Sequence, residues 1–170
     1  MEAKEVTDIL QHYRHHLLNE LQIIQGYVKL GNTEKADMYL NKLFTHFHHE
    51  RNFLNLNIPH VFLWFFETKM KYRHFQFSYT IATETKKLTH ADMYMKRKLE
   101  QIMQYIDRRC KEDKLYAVHL EFKDDKKRVL IQISVDSDSN LTNEADFPFE
   151  EVTITDTTTK RIYSFIVDID

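Results

Sequence analysis

The chain has 170 residues, 42% of them hydrophobic, and its 24 lysines and arginines against 26 aspartates and glutamates leave a net charge of −2. That is enough apolar material for one good-sized domain or two small ones, which excludes a disordered tail, and the balanced charge speaks against a nucleic-acid binder. The single cysteine, Cys110, excludes an internal disulfide and fits a reducing compartment.

The opening stretch MEAKEVTDIL lacks the apolar core of a signal peptide. The richest apolar run, Val61 to Phe66, is far too short to span a bilayer. A soluble, cytoplasmic protein is expected, with neither membrane nor nucleic acid among its partners. Lys4 to Leu30 reads as one long helix, with Leu10, Leu17, Leu21, Ile24 and Val28 on the spacing of a bundle seam. Gly31 is placed to cap its C-terminus, and Asn32 or Thr33 to start the next helix. That second helix carries Ala36, Leu40, Leu43, Phe47 and Leu54 on a similar seam. Two helices joined by so short a turn form an antiparallel hairpin, and a lone hairpin buries its apolar stripes poorly. Pairing of two copies into a four-helix bundle is therefore expected, making the protein a homodimer.

Pro59 opens a third helix, running to about Lys71 and rich in aromatics at Phe62, Trp64, Phe65 and Phe66. These rings are most simply core packing. Phe75, Phe77, Tyr79 and Ile81 alternate as in a strand, and Ala91 to Lys111 is helical again. Tyr116 to Phe122 and Arg128 to Val135 flank Asp124–Lys127 as a hairpin. After a polar stretch, Val152 to Thr155 and Ile162 to Ile169 close the chain as two more strands. The fold class is α+β: residues 1–57 form the helical hairpin, and residues 58–170 form a domain of about five strands and two helices.

Only two glycines occur, Gly26 and Gly31. Loops that wrap nucleotide phosphates bring backbone close to the ligand, often at positive φ, which glycine supplies at least cost. Their absence after residue 31 argues against ATP binding through a glycine-rich loop.

A candidate for chemistry stands on the first helix. Opposite the leucine seam lies a face bearing Asp8, His12, His15, Asn19, Gln22 and Gly26, since each residue turns about 100° from the last. His15 stands within this polar stripe, and Gly26 removes a side chain where a partner could come close. A neutral imidazole nitrogen is nucleophilic near pH 7, histidine's ordinary pKa being ~6.5. Phosphoryl transfer runs through a loose, in-line transition state, so its catalysis is mostly positioning and charge neutralisation. Arg14 and Lys29 are nearby cations on the same helix. No acidic cluster resembles a dedicated Mg²⁺ site, so the metal is expected from the partner. Against this, an exposed histidine on an amphipathic helix usually does nothing. His12 with His16, and His46 with His48 and His49, suggest a metal, but no third ligand with recognisable spacing accompanies either, and solvated histidines are the simpler reading. The Lys96–Lys98 run is most simply a solvated helix face.

The stretch Arg14-His15-His16-Leu17-Leu18-Asn19-Glu20-Leu21-Gln22-Ile23-Ile24-Gln25-Gly26 resembles the phospho-acceptor helix of the sporulation initiation phosphotransferase B family, itself related to sensor histidine kinases. The similarity continues through the hairpin, into Leu56-Asn57-Ile58-Pro59-His60, and on to the terminal strand pair. It implies a dimer with a four-helix bundle and a C-terminal domain similar to a histidine-kinase ATPase domain that has lost its nucleotide. It implies a histidine phosphotransferase of two-component signalling, working through a phosphohistidine. The donor would be the aspartyl phosphate of a single-domain response regulator, and the acceptor the receiver domain of a sporulation transcription factor. By this match His15 is the carrier, with Arg14, His16, Leu18, Asn19, Gln22 and Gly26 in docking or supporting positions and no cofactor bound by the chain itself. One departure stands out: the residue after the phospho-acceptor is commonly acidic, and here it is His16. The spacing to Asn19 favours His15 over His16 as the carrier. A non-catalytic dimeric binding module, an ATP-dependent kinase and a histidine-based metal sensor are the competing readings.

Overall fold

A computed structural model describes residues 3–84, 88–111, 113–136 and 149–169. The polar stretch expected before the last two strands falls outside them for the most part. The chain divides into two compact units, Met1–Arg51 and Asn52–Asp170.

The first unit consists of α1 (Ala3–Lys29) and most of α2 (Thr33–Asn55). Gly31, at φ 70, turns the chain between them. Its N–H donates to Val28 O at 3.0 Å and the Asn32 N–H to Tyr27 O at 3.0 Å, the paired bonds of a glycine-terminated helix. The Asn32 side chain then accepts the Lys35 N–H at 3.1 Å, starting α2 as expected. The helices run antiparallel: Tyr27 stacks on Tyr39 with ring centroids 5.4 Å apart, and Tyr13 donates to Glu50 at 3.0 Å near the other end. Burial, and then the Glu50 carboxylate, push the Tyr13 phenol up to about 12.

The seam read from the sequence splits in two. Leu17 and Ile24 are half-buried, joined by Val6, Ile9, Tyr13 and Tyr27, and on α2 Ala36 is buried with Leu43 and Phe47 half-buried. Leu10, Leu21 and Val28 are instead exposed at 61%, 44% and 58%, as are Leu40 at 37%, Phe44 at 54% and Leu54 at 54%. The reason is geometric: a stripe wide enough for a four-helix bundle exceeds what one neighbouring helix covers. Counted along the chain, Leu10, Leu21 and Val28 follow the packed stripe of α1 by about 60–90°, and Leu40 and Phe44 follow that of α2 by a similar angle. Because both helices are right-handed and run in opposite directions, the two sets emerge on the same flank of the hairpin.

Among its described residues, the second unit is a five-stranded sheet with two helices. Its elements are α3 (Pro59–Lys71), β1 (Phe75–Ala82), α4 (Asp92–Asp107, led by one 3₁₀ turn), β2 (Tyr116–Asp125), β3 (Arg128–Asp136), β4 (Thr153–Asp156) and β5 (Lys160–Asp168). The strand order is β1-β2-β3-β5-β4, with β1 and β2 parallel across the α4 crossover and the rest antiparallel. Strands β2 and β3 alternate between more and less buried residues, and β5 does so except where Ser164 is buried between Tyr163 and Phe165. Val118, Leu120 and Phe122, then Val129, Ile131 and Ile133, then Tyr163, Phe165 and Val167 are buried, together with Trp64 and Phe65 of α3 and Leu99, Ile102 and Ile106 of α4. Leu130 and Ile166 are apolar exceptions, but most of the intervening residues are polar. Among them, Ser78 and His119 meet at 2.8 Å, and partial burial holds the His119 imidazole below its ordinary range. The last turn of α2 belongs to this core: Phe53 is fully buried, with the rings of Phe62, Phe65, Tyr79 and Phe122 within 5.9 Å. Among the described residues no helix is long and apolar enough to cross a membrane.

The start of α3 is capped from a distance. Ile58, its N-cap, offers no side-chain acceptor. The buried Asp92 carboxylate supplies both: Oδ2 accepts the His60 N–H and Oδ1 the Val61 N–H, each at 2.9 Å, while His60 Nδ1 also lies 2.9 Å from Oδ2. Replacement Asp92→Ala leaves two helix N–H groups without acceptors in a largely buried setting and should cost about 2 kcal/mol or more in urea unfolding; an unchanged midpoint and slope contradicts this role.

Candidate functional site

His15 sits midway along α1, on the side away from α2, and is exposed. Helical geometry places Asn19, Gln22 and Gly26 within about 60° of one another and of His15 around the axis, and spreads the four over roughly 16 Å of its length. Arg14 and His16 fall about 100° to either side, so neither shares the face directly. Leu18, 50% exposed, borders the face on the Arg14 side. One contact joins members of the set: Asn19 Nδ2 lies 3.2 Å from His15 Nδ1. The sequence pointed to Asn19 by its spacing alone, and this one-turn contact adds a specific partner for one ring nitrogen. Lys29, a candidate for offsetting phosphate charge, lies about 21 Å beyond His15 along the helix. It is out of reach, whereas Arg14 is adjacent.

Gly26 has open space around it. A methyl group built on its Cα meets nothing within 4 Å, and its φ is not in the left-handed region that favours glycine. The fold therefore gives no reason for glycine here. Replacement by alanine in a helix interior ordinarily adds about 0.5–1 kcal/mol of stability. The remaining histidines of the hairpin do not gather: His46 approaches Glu50 at 4.0 Å, and among the described residues no group of three or more potential metal ligands occurs.

Residues 1–56 match the family described as the SpoOB-type sensor-kinase alpha-helical domain. The helical part of the chain is thus similar to a SpoOB-type alpha-helical domain, in agreement with the resemblance read from Arg14 to Gly26. A curated relative is sporulation initiation phosphotransferase B of Bacillus subtilis (strain 168), 24% identical over 105 residues that make up 62% of this chain and 55% of the relative. The match thus spans about half the length of that relative. Among solved structures, the catalytic domain of the histidine kinase ThkA aligns with a TM-score of 0.47 at 13% identity, over 67% of this chain and 92% of its own. The Acinetobacter baumannii histidine kinase AdeS aligns with a TM-score of 0.47 at 11% identity, over 92% of this chain and 98% of its own. The fold class read from the sequence, a helical hairpin followed by a mixed α/β unit, is the one observed.

If a partner approaches the helix closely at Gly26, Gly26→Ala separates the two roles. Thermal unfolding should move up or stay level, while association with a partner at this face should weaken about tenfold or more, each 1.4 kcal/mol being a factor of ten. Loss of stability, or unchanged partner binding, goes against the docking role.

Proposed function

We propose that this chain is a phosphorelay histidine phosphotransferase acting in the control of sporulation. The observation that carries the reading is His15 itself: an exposed imidazole on the outward face of a SpoOB-type hairpin, with one ring nitrogen held by Asn19. The protein takes a phosphoryl group from the aspartyl phosphate of a single-domain response regulator and holds it on His15. It then passes the group to the receiver-domain aspartate of a sporulation transcription factor. An imidazole nitrogen attacks phosphorus in line, the bond to the aspartyl oxygen breaks, and the carboxylate leaves with its electron pair. Arg14, next to His15 in sequence, is the cation offered to the equatorial oxygens, and Mg²⁺ accompanies the partner, whose carboxylates suit that ion. The face from His15 to Gly26, bordered by Leu18 and His16, receives the receiver domain.

The exposed flank of Leu10, Leu21, Val28, Leu40 and Phe44 supports the homodimer. Covering it with the same flank of a second copy completes a four-helix bundle and leaves the His15 face pointing outward. The second unit works without nucleotide, since no glycine follows Gly31 to build a phosphate loop. The chain works in the cytoplasm and needs no ATP of its own.

Two measurements test these statements. Mixed with a response regulator carrying a labelled aspartyl phosphate and Mg²⁺, the wild type and His16→Ala should take up label, and His15→Ala should take none. If no variant takes label from a regulator it demonstrably binds, the chain is a binding module instead. In sedimentation equilibrium the wild type should run at twice the chain mass and Leu21→Lys at the chain mass, since charge on the flank opposes its burial; a monomeric wild type removes the bundle.

A further inference from the structure

We infer that Asn19 governs on which nitrogen of His15 the proton resides, and hence whether Nε2 is free to carry phosphate. The inference rests on His15 being the phosphate carrier. A neutral imidazole has one N–H and one lone pair, and the hydrogen bond made by one nitrogen fixes the state of the other. In the structure the Asn19 amide nitrogen faces His15 Nδ1 at 3.2 Å. In that orientation the amide donates, Nδ1 accepts, and the ring proton sits on Nε2, the outermost nitrogen. Nε2 then has no lone pair to offer. A half-turn of the amide about its last side-chain bond, with no backbone change, brings Oδ1 to the same place. Nδ1–H now donates to Oδ1, and Nε2 presents its lone pair to the approaching partner.

The same orientation assists both halves of the transfer. When Nε2 attacks phosphorus, the proton stays on Nδ1, and the ring gains a formal positive charge beside the phosphoryl group. The Asn19 carbonyl oxygen accepts from that N–H and stabilises the charge. When an acceptor carboxylate attacks phosphorus, the Nε2–P bond breaks and its electron pair returns to Nε2. With the proton held on Nδ1 the leaving group is neutral imidazole; without it, the far more basic imidazolate would have to leave. A carboxylate beside the ring would hold that proton more strongly, but the next residue, His16, is not one and lies about 100° around the helix. Asn19 is the residue that reaches Nδ1, and unlike a carboxylate it can also switch to the blocking orientation. The simpler alternative is a one-turn surface contact that stabilises the helix slightly and does nothing to the ring.

The test uses the full chain as wild type, Asn19→Ala and Asn19→Asp. Nitrogen–proton correlation spectra of the neutral His15 ring, recorded without any partner, give the fraction with the proton on Nδ1. The expected order is Asn19→Asp highest, wild type intermediate and Asn19→Ala lowest. Label transfer from the phosphorylated regulator should fall about tenfold or more in Asn19→Ala and be largely restored in Asn19→Asp, which keeps an acceptor at that position. An identical Nδ1–H fraction in all three proteins, or transfer in Asn19→Asp no faster than in Asn19→Ala, overturns the inference. If the tautomer order holds but the wild type takes no label, the carrier reading fails and only the amide–imidazole link survives.

Discussion

Two helices lying side by side can cover only one side of each other, and this limit organises the first unit. The hairpin uses Tyr13, Leu17, Ile24 and Tyr27 against Ala36, Leu43 and Phe47, and a second apolar strip from Leu10 to Val28 is left over. The two strips sit next to each other, so together they occupy close to half the circumference of α1. What remains for polar chemistry is the opposite half, and His15 stands near its centre. The orientation of the histidine is thus set by apolar residues that never touch it. A rigid helix also fixes how far apart the members of the polar face are, so Asn19 meets His15 one turn away while Gly26 stands several turns off.

The second unit relies on a different device. Its α3 begins at Pro59, after a residue with no capping side chain, and two backbone N–H groups there find their acceptors on Asp92. One carboxylate thereby ties the first turn of α3 to the first turn of α4, more than thirty residues later in the chain. Between α3 and β1, His74 lies 3.1 Å from Asp107, the last residue of α4. The two helices pack against each other, with buried Trp64 and Phe65 of α3 and Leu99, Ile102 and Ile106 of α4 in the same core. The strands then close the core against Trp64, Phe65, Leu99 and Ile102.

Much of this is legible in the sequence itself. Gly31 followed by Asn32 marked the hairpin turn, Pro59 marked the start of α3, and alternation from Phe75 to Ile81 marked β1; all three signals are local, which is why they survive folding. The non-local features escaped. Asp92 as a distant cap could not be read from spacing, because a capping residue is normally sought beside the helix it caps. Strand β2 runs to Asp125 and β3 starts at Arg128, leaving only Lys126 and Lys127 in the turn. The charged residues had suggested a longer loop, and antiparallel pairing of Asp124 with Val129 overrode that tendency. At the candidate site the face was legible from helical arithmetic, whereas the amide–imidazole contact needed side-chain positions. The seam on α1 reads as one stripe because periodicity cannot tell which apolar residues a helix buries against its own chain and which it leaves exposed.

In the strands of the second unit, more and less buried residues alternate without exception from Val118 to Phe122 and from Val129 to Val135. Each strand is in effect two interleaved texts written under different rules. The inward text must fit neighbours of fixed volume, so few spellings are accepted. The outward text must only remain compatible with water, and many spellings serve equally well. Percentage identity averages the two texts into one figure. A modest value over such a sheet can therefore conceal an inward half that is nearly intact, and distant kinship in folds of this kind is better judged by reading every second letter.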